Sequence, residues 1–380
     1  METCDVAVIG LGIMGSAALY NLSQHPGVVL GFDPIQRGAK IGSSHGSCRV
    51  FRRFNFESEA YTALSDEAFK AWKGLEDASG EKILLPSRIV EAGRPGSALV
   101  AASRAAAAAA GRPSKPKTGA DINGQFPAFR IPDDWDAAIN DSGGILRADV
   151  ALASYRAAVK DRVVAQRVRL ERTRSQLNLV TGNKTYAAKQ IIISAGAWIT
   201  DFVPELKDYI TVTRQAVGWF EPNKPAQVQY DDFPIFILDS PQGNIYGFPD
   251  FAGEGVKAAA HEHGCRLRHA DDAAQDATVD DLAPVSTALS DYVPAAAGRL
   301  MRTEICLYTN TKGGDVDGSK AEEFIIDRLP DDPKIIVASP CSGHGFKFAS
   351  AVGGILANMA LNPNFSAPPE FSLRRFAPFR

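Results

Sequence analysis

Six residues, Gly10-Leu-Gly12-Ile-Met-Gly15, leave this chain little choice in how it begins. They follow Asp5-Val-Ala-Val-Ile, a short apolar, β-branched run that reads as a buried parallel strand. Ile13 to Ser23 then reads as a helix, and Val28-Val-Leu-Gly-Phe-Asp33 as the next strand, so the segment is a β-α-β unit. Each glycine has a physical task. Gly10 permits a tight turn, Gly12 lets the backbone approach a pyrophosphate, and Gly15 lets the helix pack on the strand with its N-terminus toward the phosphates. Asp33 falls 18 residues after Gly15, where a carboxylate can accept hydrogen bonds from ribose hydroxyls. The unit is expected to bind a dinucleotide. The glycines do not separate NAD from FAD.

A chain of 380 residues exceeds one ordinary core, so two domains are expected. A net charge of -3 offers no electrostatic footing for nucleic acid or an anionic membrane. Five cysteines, an odd and sparse set, suit reduced thiols and a cytoplasmic protein. The N-terminus lacks a charged leader and apolar run, and no stretch is long and apolar enough to span a bilayer. His261, His263, Cys265 and His269 cluster, but their spacing fits no standard zinc pattern, so a polar loop without metal is expected.

Further along, residues 42–55 read as a polar loop, Tyr61 to Leu75 as a helix, and residues 101–118 as an alanine-rich helix breaking into an exposed basic connection. Residues 150–160 read as a helix and Val168 to Ala187 as a hairpin around Thr181-Gly-Asn. Gln190 to Gly196 reads as a separate buried strand. Thr211 to Ile305 often alternates and suggests a mainly antiparallel sheet. Lys334 to Ser339 reads as a strand, followed by a glycine turn and a helix from about Phe346 to Leu361. The expected architecture is α/β: a discontinuous dinucleotide-binding domain (1–85, 143–210, 320–380) with an inserted antiparallel-sheet substrate domain (86–142, 211–319). The cofactor would lie between them.

Several residues carry chemistry. His45, Arg49, Arg52 and Arg53 crowd one segment, either as a solvated basic loop or as a grip on carboxylates. Lys257 and His261 stand four apart and face one side of a strand or helix, with three small alanines between them. Ser342-Gly343-His344-Gly345-Phe-Lys347 joins a strand to a helix, so its backbone N–H groups can face an anion, and Lys347 can reach a carboxylate. An ordinary glycine turn with a solvated lysine reads as well. Cys306, between Ile305 and Leu307, reads on pattern alone as a small buried hydrophobe.

Taken together, these motifs resemble the monomeric sarcosine oxidase family, which includes N-methyltryptophan oxidase and is related to the fructosyl-amino-acid oxidases (amadoriases). The likeness rests on the N-terminal glycines, Gly42-Ser-Ser-His-Gly-Ser-Cys-Arg49-Val-Phe-Arg52, Tyr246-Gly-Phe-Pro, Gly255-Val-Lys257-Ala-Ala-Ala-His261, Cys306-Leu-Tyr-Thr and Ser342–Phe348. Residues 95–140 are not part of it. The resemblance implies a glutathione-reductase-type FAD-binding domain and a D-amino-acid-oxidase-like substrate domain. It implies FAD joined to Cys306 through a thioether at the 8α carbon. Arg52 and Lys347 would clamp a substrate carboxylate, and Lys257 would activate oxygen. His45 and Arg49 would sit at the flavin face, with Ser43, Gly343, His344, Gly345 and Lys347 also touching the cofactor. Tyr246 and His261 would border the substrate, and Gly343 would approach it through its backbone. Ser47 and Cys48 depart from the family's usual acidic residue and threonine, and Arg53 has no assigned role.

The implied activity is oxidation of a secondary amine bearing a carboxylate, with oxygen reduced to hydrogen peroxide by a monomeric enzyme. The substituent is open between N-methyl, fructosyl and cyclic amines. A flavin dehydrogenase using another acceptor is the alternative, and a non-catalytic FAD-binding protein stands behind it.

Overall fold

The computed structural model describes residues 1–34, 40–53, 59–112, 115–173, 176–261, 264–318 and 321–380. A largely parallel sheet carries the N-terminal unit. Glu2–Ile9 lies between Val29–Phe32 and Thr185–Ile193, parallel to both. Ile335–Ser339 adds in parallel along the last residues of Thr185–Ile193, and Val163–Val164 extends the opposite edge. From Val6 on, the first strand alternates in what it buries: Val6 and Val8 meet helices, while Ala7 and Ile9 enter a second cluster with Leu179, Leu206 and Phe376. Both faces are covered, which is why the strand is apolar throughout rather than every second residue.

The helix Ile13–Ser23 packs against the last helix, Ala349–Leu361. Close approach depends on Gly353, where an added Cβ would stand 2.6 Å from the Ala17 side chain. Overpacking of this kind typically costs about 1–3 kcal/mol.

The second sheet has nine strands. Ile210–Phe220 pairs antiparallel with Leu300–Thr311 on one side and with Val256–Ala260 on the other. Gly243–Gly247, Ile235–Ser240, Ile89–Gly93, Asp136–Asn140 and Lys117–Thr118 follow in order. A third, small sheet joins Cys48–Phe51, Gly144–Arg147 and Leu84–Pro86.

Three sequence expectations differ from the structure. The polar loop of residues 42–55 contains the strand Cys48–Phe51, because Gly144–Arg147, nearly a hundred residues away, supplies its partner. The hairpin strand and the buried strand after it are one strand, Thr185–Ile193. Its first part alternates beside Leu177–Val180, and its last part is buried between two parallel neighbours, so one strand shows two burial patterns. Within the sheet-rich stretch, Val279–Tyr292 is a helix. Thr278 and Asp281 form a reciprocal capping box at its start, and Leu282, Val285 and Leu289 bury against the sheet. The helix accommodates Pro284 in its interior, a position that proline normally disfavours.

Candidate active site

A cavity of about 720 Å³ is lined from both large sheets, running from the N-terminal glycine turn to Lys257 and Cys306. At the glycine end the backbone leaves no room for side chains. Gly10 has φ +85°, and a Cβ there would stand 2.6 Å from the Ser194 carbonyl oxygen. A Cβ on Gly15 would stand 1.9 Å from the Gly10 carbonyl oxygen, so this residue lies beneath the turn rather than in the cavity wall. Gly12 and Asp33 do line the cavity. The Leu11 N–H donates to Asp33 Oδ2 at 2.7 Å, which ties the turn to the end of the second strand. Ser44 Oγ accepts from the Ile13 N–H at 3.0 Å and so joins the following loop to the helix start.

That loop leads to Cys306. Ser43 Oγ donates to the Leu307 carbonyl, and the Leu307 N–H donates to the Gly42 carbonyl at 3.0 Å. The Arg49 guanidinium donates to the carbonyls of Ser43, His45 and Cys48 and stands 3.9 Å from Cys306 Sγ. His45 Nε2 faces the same sulfur at 3.9 Å. Burial pushes the Cys306 thiol up, but His45 and Arg49 outweigh it and lower the thiol to about 7. Burial also opposes a charged His45; the Cys306 sulfur and Glu304 outweigh it and raise the imidazole to about 9.

Lys257, on Val256–Ala260, is buried, and its Nζ donates to the Cys48 carbonyl at 2.8 Å. The ammonium lies 5.3 Å from the ring centroids of both Trp219 and Phe248. Burial lowers its pKa. His261 follows this strand, and its ring lies 5.6 Å from that of Tyr308. Tyr246 and His261 both line the cavity. Burial pushes the Tyr246 and Tyr308 hydroxyls up.

The turn after Ile335–Ser339 closes this end. Ser342 has φ +41° and Gly343 φ +73°. A Cβ on Gly343 would stand 2.6 Å from the Tyr308 ring and 2.8 Å from the His261 ring, so bare backbone is required beside them. A Cβ on Gly345 would stand 1.8 Å from the Pro340 carbonyl oxygen. His344, Gly345 and Lys347 line the cavity. Lys347 Nζ donates to the His344 carbonyl at 3.2 Å, while Trp72 Nε1 donates to the Lys347 carbonyl at 2.9 Å and anchors the turn to Glu59–Ser79.

Arg52 lines the same cavity, and its Nη1 stands 3.3 Å from Glu91 Oε1, a fully buried carboxylate. Ser103 also donates to Glu91. Arg53 turns elsewhere: it pairs with Asp66 at 2.6 Å and stacks over Phe69 at 4.8 Å. The proposed histidine cluster is divided. His261 lies at the cavity, Cys265 is exposed, His269 Nε2 faces Asp201 at 3.1 Å, and His263 lies outside the described residues.

Sequence reading missed Glu304, Tyr308, Glu91 and Trp219. For the first two a signal existed: Glu304, Cys306 and Tyr308 are spaced by two on Leu300–Thr311 and so share one face. Glu91 and Trp219 carry no such mark, since only pairing of distant strands brings them to the site.

The residues fit FAD: a tight glycine turn that bares backbone at Gly10 and Gly12 lies at one end of the cavity, and a thiol of lowered pKa among basic side chains lies at the other. Residues 5–359 match the family described as DAO, FAD dependent oxidoreductase. The chain is 32% identical to monomeric sarcosine oxidase from Bacillus sp. (strain B-0618), over 94% of this chain and 92% of the relative. It is 31% identical to N-methyl-L-tryptophan oxidase from Yersinia pestis (strain Pestoides F), over 98% of this chain and 99% of the relative. Its fold matches the solved structure of NikD, an unusual amino acid oxidase essential for nikkomycin biosynthesis, with TM-score 0.85, 20% identity, and 98% of each chain covered. No described helix is long and apolar enough to cross a membrane. The chain belongs to the DAO family of FAD dependent oxidoreductases, alongside monomeric sarcosine oxidase and N-methyl-L-tryptophan oxidase.

Proposed function

We propose that this protein is an FAD-dependent oxidase of secondary amines in N-substituted α-amino acids, with N-methyl amino acids as the first substrate class. One observation carries the reading: Lys257, Arg52 and Lys347, three buried basic side chains on separate elements, line one cavity with the glycine turn. The two relatives of about 31% identity bear names of enzymes that act on N-methyl amino acids, which favours a methyl group over a fructosyl or cyclic one.

FAD supplies, when bound, a hydride acceptor for the carbon next to nitrogen and a route for the electron pair to oxygen, giving hydrogen peroxide. The chain's own residues do the rest. Arg52 and Lys347 grip the carboxylate and align the reacting C–H bond. Tyr246 and His261 wall the amine, with Gly343 offering bare backbone. The backbone N–H groups of the Gly343–Lys347 turn, other than that of His344, which donates to the Cys341 carbonyl, would offset negative charge that develops on the cofactor. Lys257, caged by Trp219 and Phe248, holds positive charge where oxygen must accept electrons. Gly10, Gly12, Gly15 and Asp33 hold the dinucleotide, and Ser43, His45, Arg49, His344 and Gly345 surround the ring system. Cys306 would hold the flavin through a thioether. In this reading, residues 1–85, 143–210 and 320–380 bind FAD and the remainder shapes the substrate chamber, in a monomeric cytoplasmic enzyme.

The test is anaerobic bleaching of the bound flavin by sarcosine, N-methyltryptophan, fructosyl-glycine, pipecolate and proline. Fast bleaching by the N-methyl compounds supports the reading. Bleaching by the fructosyl compound alone would reassign the chamber to a sugar, and bleaching by none would remove the substrate class.

A further inference from the structure

Behind Cys306 lies an acidic side chain that the oxidase reading does not use. Glu304 precedes Cys306 by two residues on Leu300–Thr311, so both side chains leave the strand on one face. His45 bridges them: its Nε2 stands 3.9 Å from Cys306 Sγ and its Nδ1 3.7 Å from Glu304 Oε2. The second distance is that of an ion pair rather than a hydrogen bond, and Nδ1 has no hydrogen-bond partner among the described residues. Lys40 caps the other carboxylate oxygen of Glu304 at 2.6 Å from a side chain that is 57% exposed. Carboxylate, imidazole and thiol thus stand in the order that activates nucleophiles, with the acid orienting the base and the base facing the sulfur.

We propose that Glu304 is a positioning residue which, through His45, keeps the Cys306 thiol ionised and aimed into the cavity, ready to bond to the flavin. The proposal rests on the covalent-flavin reading above. In that reaction the sulfur–hydrogen bond and one C–H bond of the 8α methyl group break, and a carbon–sulfur bond forms. Oxygen takes up the two electrons and two protons released and leaves as hydrogen peroxide.

The charges around the sulfur sit on several elements. Arg49 and Lys257 face it from strands of two different sheets, Tyr246 and Tyr308 are close by, and His45 comes from the loop before Cys48. Arg49 and Lys257 remain when Glu304 is removed and still oppose the effect of burial on the thiol. What is lost is support for a charged imidazole. Glu304 raises His45, while Lys40 and His45 together hold Glu304 down to about 2 against its burial. Glu304 is therefore a carboxylate throughout the range in which the cysteine titrates.

The test uses the full chain expressed without flavin, then alkylated with iodoacetamide from pH 5 to 10, with the Cys306 peptide followed by mass spectrometry. Wild type should show an inflection near 7. Glu304→Gln should raise it by about one unit and slow alkylation at pH 7 about 5-fold, since the thiolate is the reacting species. Glu304→Asp should restore most of the rate. In a His45→Asn background, Glu304→Gln should add nothing, because its effect travels through the imidazole. Should the Gln variant fail to fold, Glu304→Thr removes the charge with a strand-favouring side chain. An unchanged inflection in the neutral variants, or an equal shift in the His45→Asn background, overturns the proposal.

Reconstitution with FAD in air, followed by acid precipitation, separates the two readings. A yellow pellet forming about 5-fold more slowly in Glu304→Gln than in wild type is the expected result. Equal rates overturn the role of Glu304. A colourless wild-type pellet removes the covalent flavin, and the alkylation profiles still decide what Glu304 does.

Discussion

Lys257 shows how much one side chain's role depends on its surroundings. Its ammonium is buried, with a backbone carbonyl and two aromatic faces as partners. Burial lowers its pKa and Arg49 adds to that, while Cys48, Cys306 and Glu304 oppose it in part. Replacing it with methionine keeps the volume and deletes the charge. Lys257→Met is expected to slow flavin reoxidation about 100-fold or more while leaving substrate reduction within a few-fold, as loss of a preorganised electrostatic group would do. Stopped-flow traces of the two half-reactions check this, and equal losses in both would remove Lys257 from the oxygen step. Arg52 calls for a different design, because its removal strands the buried carboxylate of Glu91. Arg52→Ala is expected to raise KM for the amino acid about 10- to 100-fold, the range for losing a hydrogen bond between charged groups, and also to lower Tm. Adding Glu91→Gln should recover Tm and leave KM high. Recovery of both would make Arg52 a structural residue. Arg52 and Lys257 were legible through their motifs. Glu91 and Trp219 were not, because their strands meet the site only after the sheet forms.

Among elements, Glu2–Ile9 with Ile13–Ser23 is the clearest case of a structure written locally. A continuous apolar strand, a glycine turn and a helix occupy adjacent sequence, and each glycine answers a steric demand of its neighbours. Gly15→Ala would place a methyl group 1.9 Å from the Gly10 carbonyl oxygen. The helix must then move away from the strand, and both stability and cofactor binding should suffer. We expect a loss of about 1–3 kcal/mol in stability and purification with sub-stoichiometric flavin. Flavin absorbance per polypeptide measures the second, and full flavin content would show that the turn tolerates the methyl. Val279–Tyr292 is the opposite case. Its capping box at Thr278 and Asp281 is local, but the helix contains Pro284 and lies in a stretch read as mainly antiparallel sheet. Burial of Leu282, Val285 and Leu289 against the sheet outweighs that local conflict. Cys48–Phe51 was read as loop for a related reason, since strand pairing with Gly144–Arg147 is a long-range contact.

For the molecule as a whole, the cavity is the main consequence of the fold. Two sheets built from interleaved stretches of chain face a common space, and the groups lining it come from both. Such a space is held open by packing around it and is stabilised by what fills it. Flavin-free protein is expected to melt roughly 5–10 °C below the flavin-bound form, if binding contributes about 4 kcal/mol at ligand well above its dissociation constant. Calorimetry on both forms checks this; coincident melting would mean that the cavity needs no occupant to persist. Local sequence was enough for the β-α-β start with its glycine turn, the strand–turn–helix end and the motif order that reveals the family. Those features depend on backbone geometry and periodicity, which neighbouring residues dictate. Which charges meet depended on folding: Glu91 beside Arg52, Trp219 beneath Lys257, and Glu304 behind His45 come from chain positions dozens to hundreds of residues apart. Electrostatic pairing acts over a few ångströms of space, and no local rule of sequence encodes that distance.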